Sequence, residues 1–169
     1  PGPGIGGHCI PLDSFYLEYI AKDYAFELSM IHTAGHIDLL MPHRMTIKIT
    51  SALNRHKKSV NGAKILFLGV AYKPDIADER ESPALKIIDE VIGKGGEVAY
   101  YDSYVANVTT PTGRSLVSKK DLTAIDSYDL VVVATKHSGV DYSTVAEQAK
   151  LLVDLQNVYA EHSDRIDKL

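Results

Sequence analysis

The chain has 169 residues, 45% of them hydrophobic, with 22 Asp and Glu against 18 Lys and Arg for a formal charge of −4. That is enough apolar material for the core of one domain with an appendage, or of two very small ones. The acidic balance argues against nucleic acid as a partner. No apolar run approaches the roughly 20 residues needed to cross a bilayer, and Pro1-Gly2-Pro3-Gly4 opens neither a signal nor a transit peptide. The single cysteine, Cys9, allows no intramolecular disulfide and fits a reducing compartment, so the expected location is cytoplasmic, without membrane. With no initiator Met and a start inside a loop, the chain is expected to be a fragment of something longer.

Residues 1–12 read as a Gly/Pro loop. Leu17, Ile20, Ala21 and Tyr24 recur at i, i+3, i+4, i+7 and predict a helix opening at Asp13, its N-cap. A second helical pattern runs from about residue 27 to 58 through Ile31, Ala34, Met41, Met45, Ile49 and Leu53, with a kink predicted at Pro42. A helix longer than about 40 Å needs something large to pack on, another domain or a second subunit. At Asn61-Gly62 the pattern changes, which divides the chain into residues 1–59 and 60–169. Residues 64–70 read as a buried parallel strand. Ser82-Pro83 is a helix start with Ser as cap, carrying Leu85, Ile88, Val91 and Ile92 and ending at Gly95-Gly96. Residues 97–101 form the next strand, closed by Asp102. Residues 103–117 read as loop, 118–126 as a short helix, 130–134 as strand, 142–150 as helix and 151–153 as a last strand. Such alternation predicts an α/β unit with a doubly wound parallel sheet.

Gly2-Pro3-Gly4-Ile5-Gly6-Gly7 satisfies G-x-G-x-x-G in letters only. A dinucleotide fingerprint follows a strand and opens a helix, and neither flank fits. The glycines instead let the backbone approach a ligand beside Cys9. Cys9 and Asp13 are four apart, so a helix starting near Pro11 would set both on one face. Thiols at helix N-termini are favoured as thiolates, and a neighbouring carboxylate can hold a water. Simple packing and capping remain the bland alternative for this pair. Tyr72, Lys73 and Arg80 follow a parallel strand end and precede a helix start, a cationic setting suited to a phosphate or pyrophosphate. A solvated charged loop would read the same way. Asp102 sits where a ribose-binding acid would lie, but Gly69-Val70-Ala71-Tyr72 is no pyrophosphate turn, so a turn-forming Asp is the better reading. His32 and His36 are spaced i, i+4 without H-E-x-x-H, and no metal site is predicted. There is no G-x-S-x-G elbow.

These stretches resemble a known family. PGPGIGGHCIPLDSFYL resembles the active-site stretch of the UDP-glucose/GDP-mannose dehydrogenase family, and its His-Cys-Ile-Pro is most similar to the branch acting on UDP-N-acetylhexosamines, the UDP-N-acetylglucosamine and UDP-N-acetylmannosamine 6-dehydrogenases. KILFLGVAYKPDIADERESPALKI, continued by EVAYYDSYV, resembles that family's C-terminal UDP-binding domain. The resemblance implies a helical dimerisation segment with a long central helix, followed by a Rossmann-like UDP-binding domain. It implies Cys9 as nucleophile and Asp13 as the acid beside it, Gly4, Ile5 and Gly6 along the sugar nucleotide, Tyr72 and Lys73 on the substrate, and Arg80 on the NAD side. It further implies a two-step NAD-dependent oxidation of a UDP-hexosamine at C6 through a Cys thiohemiacetal and thioester, serving polysaccharide biosynthesis, in a homodimer. NAD would be bound mainly by an N-terminal domain outside this chain, leaving the chain inactive alone. Leu12, Ser14 and Asp154-Leu155-Gln156-Asn157 depart from the family pattern, the last where an Arg is frequent. The competing readings are a free-standing nucleotide-binding or regulatory domain, and a cysteine hydrolase, for which His8 points the wrong way.

Overall fold

In the computed structural model, which describes residues 2–169, the second half of the chain is organised by an all-parallel sheet of β1 (Lys64–Leu68), β2 (Glu97–Tyr101), β5 (Leu130–Val133), β6 (Leu152–Asp154) and β7 (Ile166–Lys168), in the order β2-β1-β5-β6-β7. Strand side chains alternate between two cores. Ile65, Phe67, Leu130, Val132 and Val153 face α2 (Ser29–Arg55) and α3 (Pro83–Gly93). Leu66, Leu68, Val131, Val133 and Leu152 face α4 (Tyr142–Gln148) and the 3₁₀ turn Ile125–Ser127. Burial on both faces is why β1 and β5 read as continuous apolar runs. Predicted fold class and observed architecture agree.

The first helix, α1 (Cys9–Ala21), corrects the expected start. It begins at Cys9 with His8 in the cap position, so Asp13 lies inside the helix and caps nothing. Pro11 is no obstacle, because first-turn amides lack intrahelical acceptors in any case. The apolar face of this helix is largely open, with Leu17, Ile20 and Tyr24 exposed. A 3₁₀ turn, Lys22–Tyr24, leads on to α2. That helix stays continuous through Pro42, where the Thr46 hydroxyl donates to the Pro42 carbonyl (3.1 Å), and ends at Arg55 because Lys57 turns left-handed (φ 59°). Only its second half, through Met45, Ile49, Ala52 and Leu53, enters the sheet core. The first half packs on α1, where Phe15 lies so close to Gly35 that any Cβ there would meet the ring at 2.4 Å.

Four more expectations are corrected. Residues 103–117 contain an antiparallel hairpin, β3 (Asn107–Thr109) and β4 (Ser115–Val117), turned by Gly113 at φ 87°. The helix expected over 118–126 is absent apart from the 3₁₀ turn, since Asp121 bonds the Thr123 amide and hydroxyl and so competes with helical bonding. Ser82 occupies the cap position of α3, with Pro83 first in the helix, but its hydroxyl caps nothing and is buried without a partner among the described residues. The predicted helix over 142–150 is shorter, ending at Gln148, and is capped by Asp141, which accepts from the Ser143 and Thr144 amides. Strand β7 has no counterpart in the sequence reading. It is tied back to α2 where Asp167 receives Lys48 (3.0 Å) and Arg55.

Candidate functional site

From β1 the chain crosses to β2 on one side, then returns to β5 on the other, so the topological switch falls at the carboxyl ends of β1 and β5, where open α/β sheets place ligands. The two strand ends touch. Gly69 (φ 79°) would drive a Cβ into the Thr135 carbonyl at 2.3 Å, and the Thr135 hydroxyl donates to the Ala71 carbonyl at 2.6 Å.

Beneath these loops lies Asp102, at the end of β2 and 4% exposed. Its Oδ2 accepts from the Val70 amide (2.7 Å), the Ala71 amide (3.1 Å) and His137 Nε2 (3.0 Å), and its Oδ1 from the Tyr104 and Val105 amides. Burial raises the Asp102 carboxyl, but the His137 bond and the amides together outweigh it and hold the group down at about 2. A carboxylate so occupied organises turns and is not free for a ribose. The same geometry settles the cofactor question for this sheet. Val70 and Ala71 give their amides to Asp102, so the turn after β1 presents no cradle to a pyrophosphate, and these residues do not fit a dinucleotide in the Rossmann manner.

Above Asp102 runs the segment that carries the predicted substrate residues. Tyr72 is half-buried, and its amide bonds the Asp78 carbonyl (2.9 Å). Lys73 is exposed, and its ammonium has no hydrogen-bond or ion-pair partner among the described residues; Lys136, after β5, is likewise exposed and unpaired. Arg80 is not a free cation. It grips Asp78 through Nε and Nη2 (2.6–3.1 Å), and that bond first, with Tyr72 and Cys9 nearby, pushes the guanidinium further up. The reciprocal bond lowers the Asp78 carboxyl.

The Cys9 loop is docked on this segment. The Gly7 amide donates to the Arg80 carbonyl (2.8 Å), and the Ile5 amide to Asp38 Oδ1 on α2 (2.7 Å). A Cβ on Gly6 would lie 2.6 Å from that of Tyr72, one on Gly7 (φ 89°) 2.8 Å from the Tyr72 ring, and one on Gly4 (φ 143°) 3.2 Å from Pro83. The glycines thus permit a close approach, here to the chain's own Tyr72 and Pro83. Cys9 is a free, exposed thiol at the first position of α1, and Asp13, also exposed, follows one turn later on the same face. A cleft of about 140 Å³ between Ile5, Ile10, Phe15, Gly35 and Asp38 adjoins the loop. Larger clefts of about 470 Å³ lie at the α1–α2 turn and beside Arg55, away from the strand ends.

The structure therefore brings Gly4, Ile5, Gly6, Cys9, Tyr72 and Arg80 together, with Lys73 on the same segment and Asp13 a turn beyond Cys9. His137, Thr135 and Asp38 escaped the sequence reading; for the first two, a position just past a buried parallel strand was the available signal. Gln156 donates to the Ala134 carbonyl (2.7 Å) and reaches within 3.8 Å of a Cβ built on Gly2. His32 and His43 bond Glu18 and Glu90, and no group of three His, Cys, Asp or Glu among the described residues could hold a metal. No helix among them is long and apolar enough to cross a membrane.

Residues 66–161 match the UDP-binding domain of the UDP-glucose/GDP-mannose dehydrogenase family, and residues 1–38 match that family's central domain. The chain is 31% identical to a UDP-N-acetyl-D-mannosamine dehydrogenase of Methanocaldococcus jannaschii, over 94% of this chain and 35% of that protein. It is 30% identical to a UDP-glucose 6-dehydrogenase of Rhizobium meliloti, over 94% and 37%. Among solved structures, a UDP-D-ManNAc dehydrogenase from Pyrococcus horikoshii superposes with a TM-score of 0.81 at 28% identity, covering 99% of this chain and 39% of that one. The chain thus spans a little over a third of the length of the relatives it matches.

Proposed function

From the premise that this chain belongs to the UDP-glucose/GDP-mannose dehydrogenase family, we propose that it is the substrate-binding part of a UDP-hexosamine 6-dehydrogenase, with Cys9 as its nucleophile. The observation that carries this reading is the bond from the Gly7 amide to the Arg80 carbonyl (2.8 Å), which holds the Cys9 loop against the Tyr72–Arg80 segment. Thiol, Lys73 and parallel-strand ends then share one open face, the arrangement needed to hold a nucleotide while its sugar reaches the thiol.

In this reading Lys73 meets the diphosphate, Tyr72 lies along the substrate and the Gly4–Gly6 loop follows the sugar. NAD, the hydride acceptor in both oxidations, is held mainly outside this chain, with Arg80 at its side of the cleft. The chain's own chemistry concerns the second oxidation. The Cys9 thiolate adds to the C6 aldehyde and forms a C–S bond, giving a thiohemiacetal whose oxyanion can expel the hydride that a flat aldehyde carbon retains. Loss of hydride leaves a thioester. Asp13 takes a proton from the attacking water, which cleaves the C–S bond to release the uronic acid and the thiol. The long α2, whose apolar residues Met30, Ile37, Leu39 and Leu40 are exposed, supports a homodimer through the helical part, and the enzyme is expected to work in the cytoplasm.

The test is protection of Cys9. UDP-N-acetylmannosamine should slow its alkylation by iodoacetamide in a saturable way, about tenfold at ten times the dissociation constant by mass action. ADP-ribose should not. Equal alkylation with and without the UDP-sugar contradicts the proposal, as would NAD reduction by this chain alone.

A further inference from the structure

The Lys73 segment is held only in part by its own bond from the Tyr72 amide to the Asp78 carbonyl (2.9 Å). Asp75 is left-handed (φ 60°), a backbone state uncommon for non-glycine residues that two bonds hold in place here. Both come from the turn after β5. The Asp75 amide donates to His137 Nδ1 (3.0 Å), and Asp75 Oδ1 accepts from the Ser138 amide (2.8 Å). His137 is 1% exposed and carries the Tyr104 ring at 5.0 Å between centroids.

Those contacts fix the imidazole's protons. An amide can only donate, so Nδ1 facing Asp75 N–H is the acceptor and carries no proton. Nε2 then carries it and donates to Asp102 Oδ2 at 3.0 Å. The same Asp102 oxygen holds the Val70 and Ala71 amides. One neutral ring therefore pins both ends of residues 70–75, the near end through Asp102 and the far end directly. Tyr72 and Lys73 lie between the pins. The His137 amide is itself anchored on the Tyr142 hydroxyl (2.9 Å), so the clamp is referred to α4 and the sheet rather than to the loop.

We infer that His137, as a neutral Nε2–H imidazole bridging Asp102 and the Asp75 amide, is a positioning residue that sets Lys73 for the diphosphate of the substrate. This rests on the proposed role of Lys73 and goes beyond it by naming what holds that lysine in place. His137 touches no substrate atom and works only through the segment.

Two amide substitutions separate its halves. His137→Asn keeps an acceptor near the Nδ1 position, and His137→Gln keeps a donor near the Nε2 position. In amide hydrogen exchange, the Asp75 amide should be protected in the unaltered chain and in His137→Asn, and should exchange at least about tenfold faster in His137→Gln. Calorimetric titration with UDP should lose about tenfold in affinity for His137→Gln, the scale of one hydrogen bond. In a Lys73→Ala background the same substitution should change affinity less than about twofold, because the lysine it positions is gone. A merely structural histidine would give additive losses in that cycle, and additivity overturns the inference. So does an unprotected Asp75 amide in the unaltered chain, a readout that needs no ligand. Failure of the unaltered chain to bind UDP, with Asp75 protected, would instead sink the proposed function of Lys73.

Discussion

The two halves of this molecule solve the problem of burial differently. From β1 onward, the sheet has both faces covered, with Phe67, Ile65, Leu130 and Val132 buried on one side and Leu68, Val133 and Leu152 on the other, none more than 1% exposed. Across α1 and the first half of α2, by contrast, Leu17, Tyr19, Tyr24, Phe26 and Met30 are 53–88% exposed. The change comes within α2, whose second half supplies Met45, Ile49, Ala52 and Leu53 to the sheet core. The lesson is that the half built on the sheet specifies itself. The half bearing Cys9 is aligned by what it shares with the sheet, the second half of α2, and by the docking of its loop through Gly7–Arg80 and the Tyr72 and Pro83 contacts.

That contrast can be broken in order of expected effect. Phe67→Ala, at a site with no exposure, should cost about 4 kcal/mol and shift the whole denaturation curve of the sheet unit. A loss below about 1 kcal/mol would mean that this core is not the stabilising one.

Asp102→Asn should cost about 3 kcal/mol, because a neutral amide cannot accept five bonds and leaves buried amides unpaired. The unaltered protein should also carry an acid signature. The Asp102 carboxyl is held down at about 2 in the folded chain, below the 3.8 of an ordinary aspartate. Its folded value is depressed, so its stabilisation is present above about pH 4 and is lost as the pH falls towards 2. It amounts to about 2.5 kcal/mol at 1.36 kcal/mol per pH unit. Denaturant titrations from pH 5 to 2 should show this slope and its absence in Asp102→Asn; parallel curves would contradict the assignment.

Much of this was legible beforehand and some was not, for physical reasons. Strands β1 and β5 were readable because both their faces are buried, so Ile65–Leu68 and Leu130–Val133 are unbroken apolar runs. The Pro83 helix start was readable because Pro imposes its backbone state locally. The α1 start was not, since Pro11 in a first turn looks like a stop although it disturbs no bond there. The β3–β4 hairpin was missed because three-residue strands carry no period. In the site, Cys9, Asp13, Tyr72, Lys73 and Arg80 stood out by chemistry or by resemblance. His137 did not, because its role depends on Asp102 and Asp75, 35 and 62 residues away in sequence.

Smaller effects test the docking between the halves. Gly6→Ala would place its Cβ 2.6 Å from that of Tyr72 and 3.0 Å from the Glu81 carbonyl, so the loop must lift. It should cost about 1–2 kcal/mol and expose the Gly7 amide to exchange while leaving the sheet amides protected. An unchanged Gly7 amide would show that the loop is held by other means. Met30→Ala, at 88% exposure, should move stability by less than about 0.5 kcal/mol in the isolated chain. A larger loss would mean that this face is already covered in solution.

The most direct test of the account is calorimetric titration of UDP into this chain, its Lys73→Ala variant and its Cys9→Ser variant. The account predicts binding by the unaltered chain, at least about tenfold weaker binding with Lys73→Ala, and unchanged binding with Cys9→Ser, since the thiol serves the sugar and not the nucleotide. No binding, or equal binding by the Lys73 variant, would contradict it.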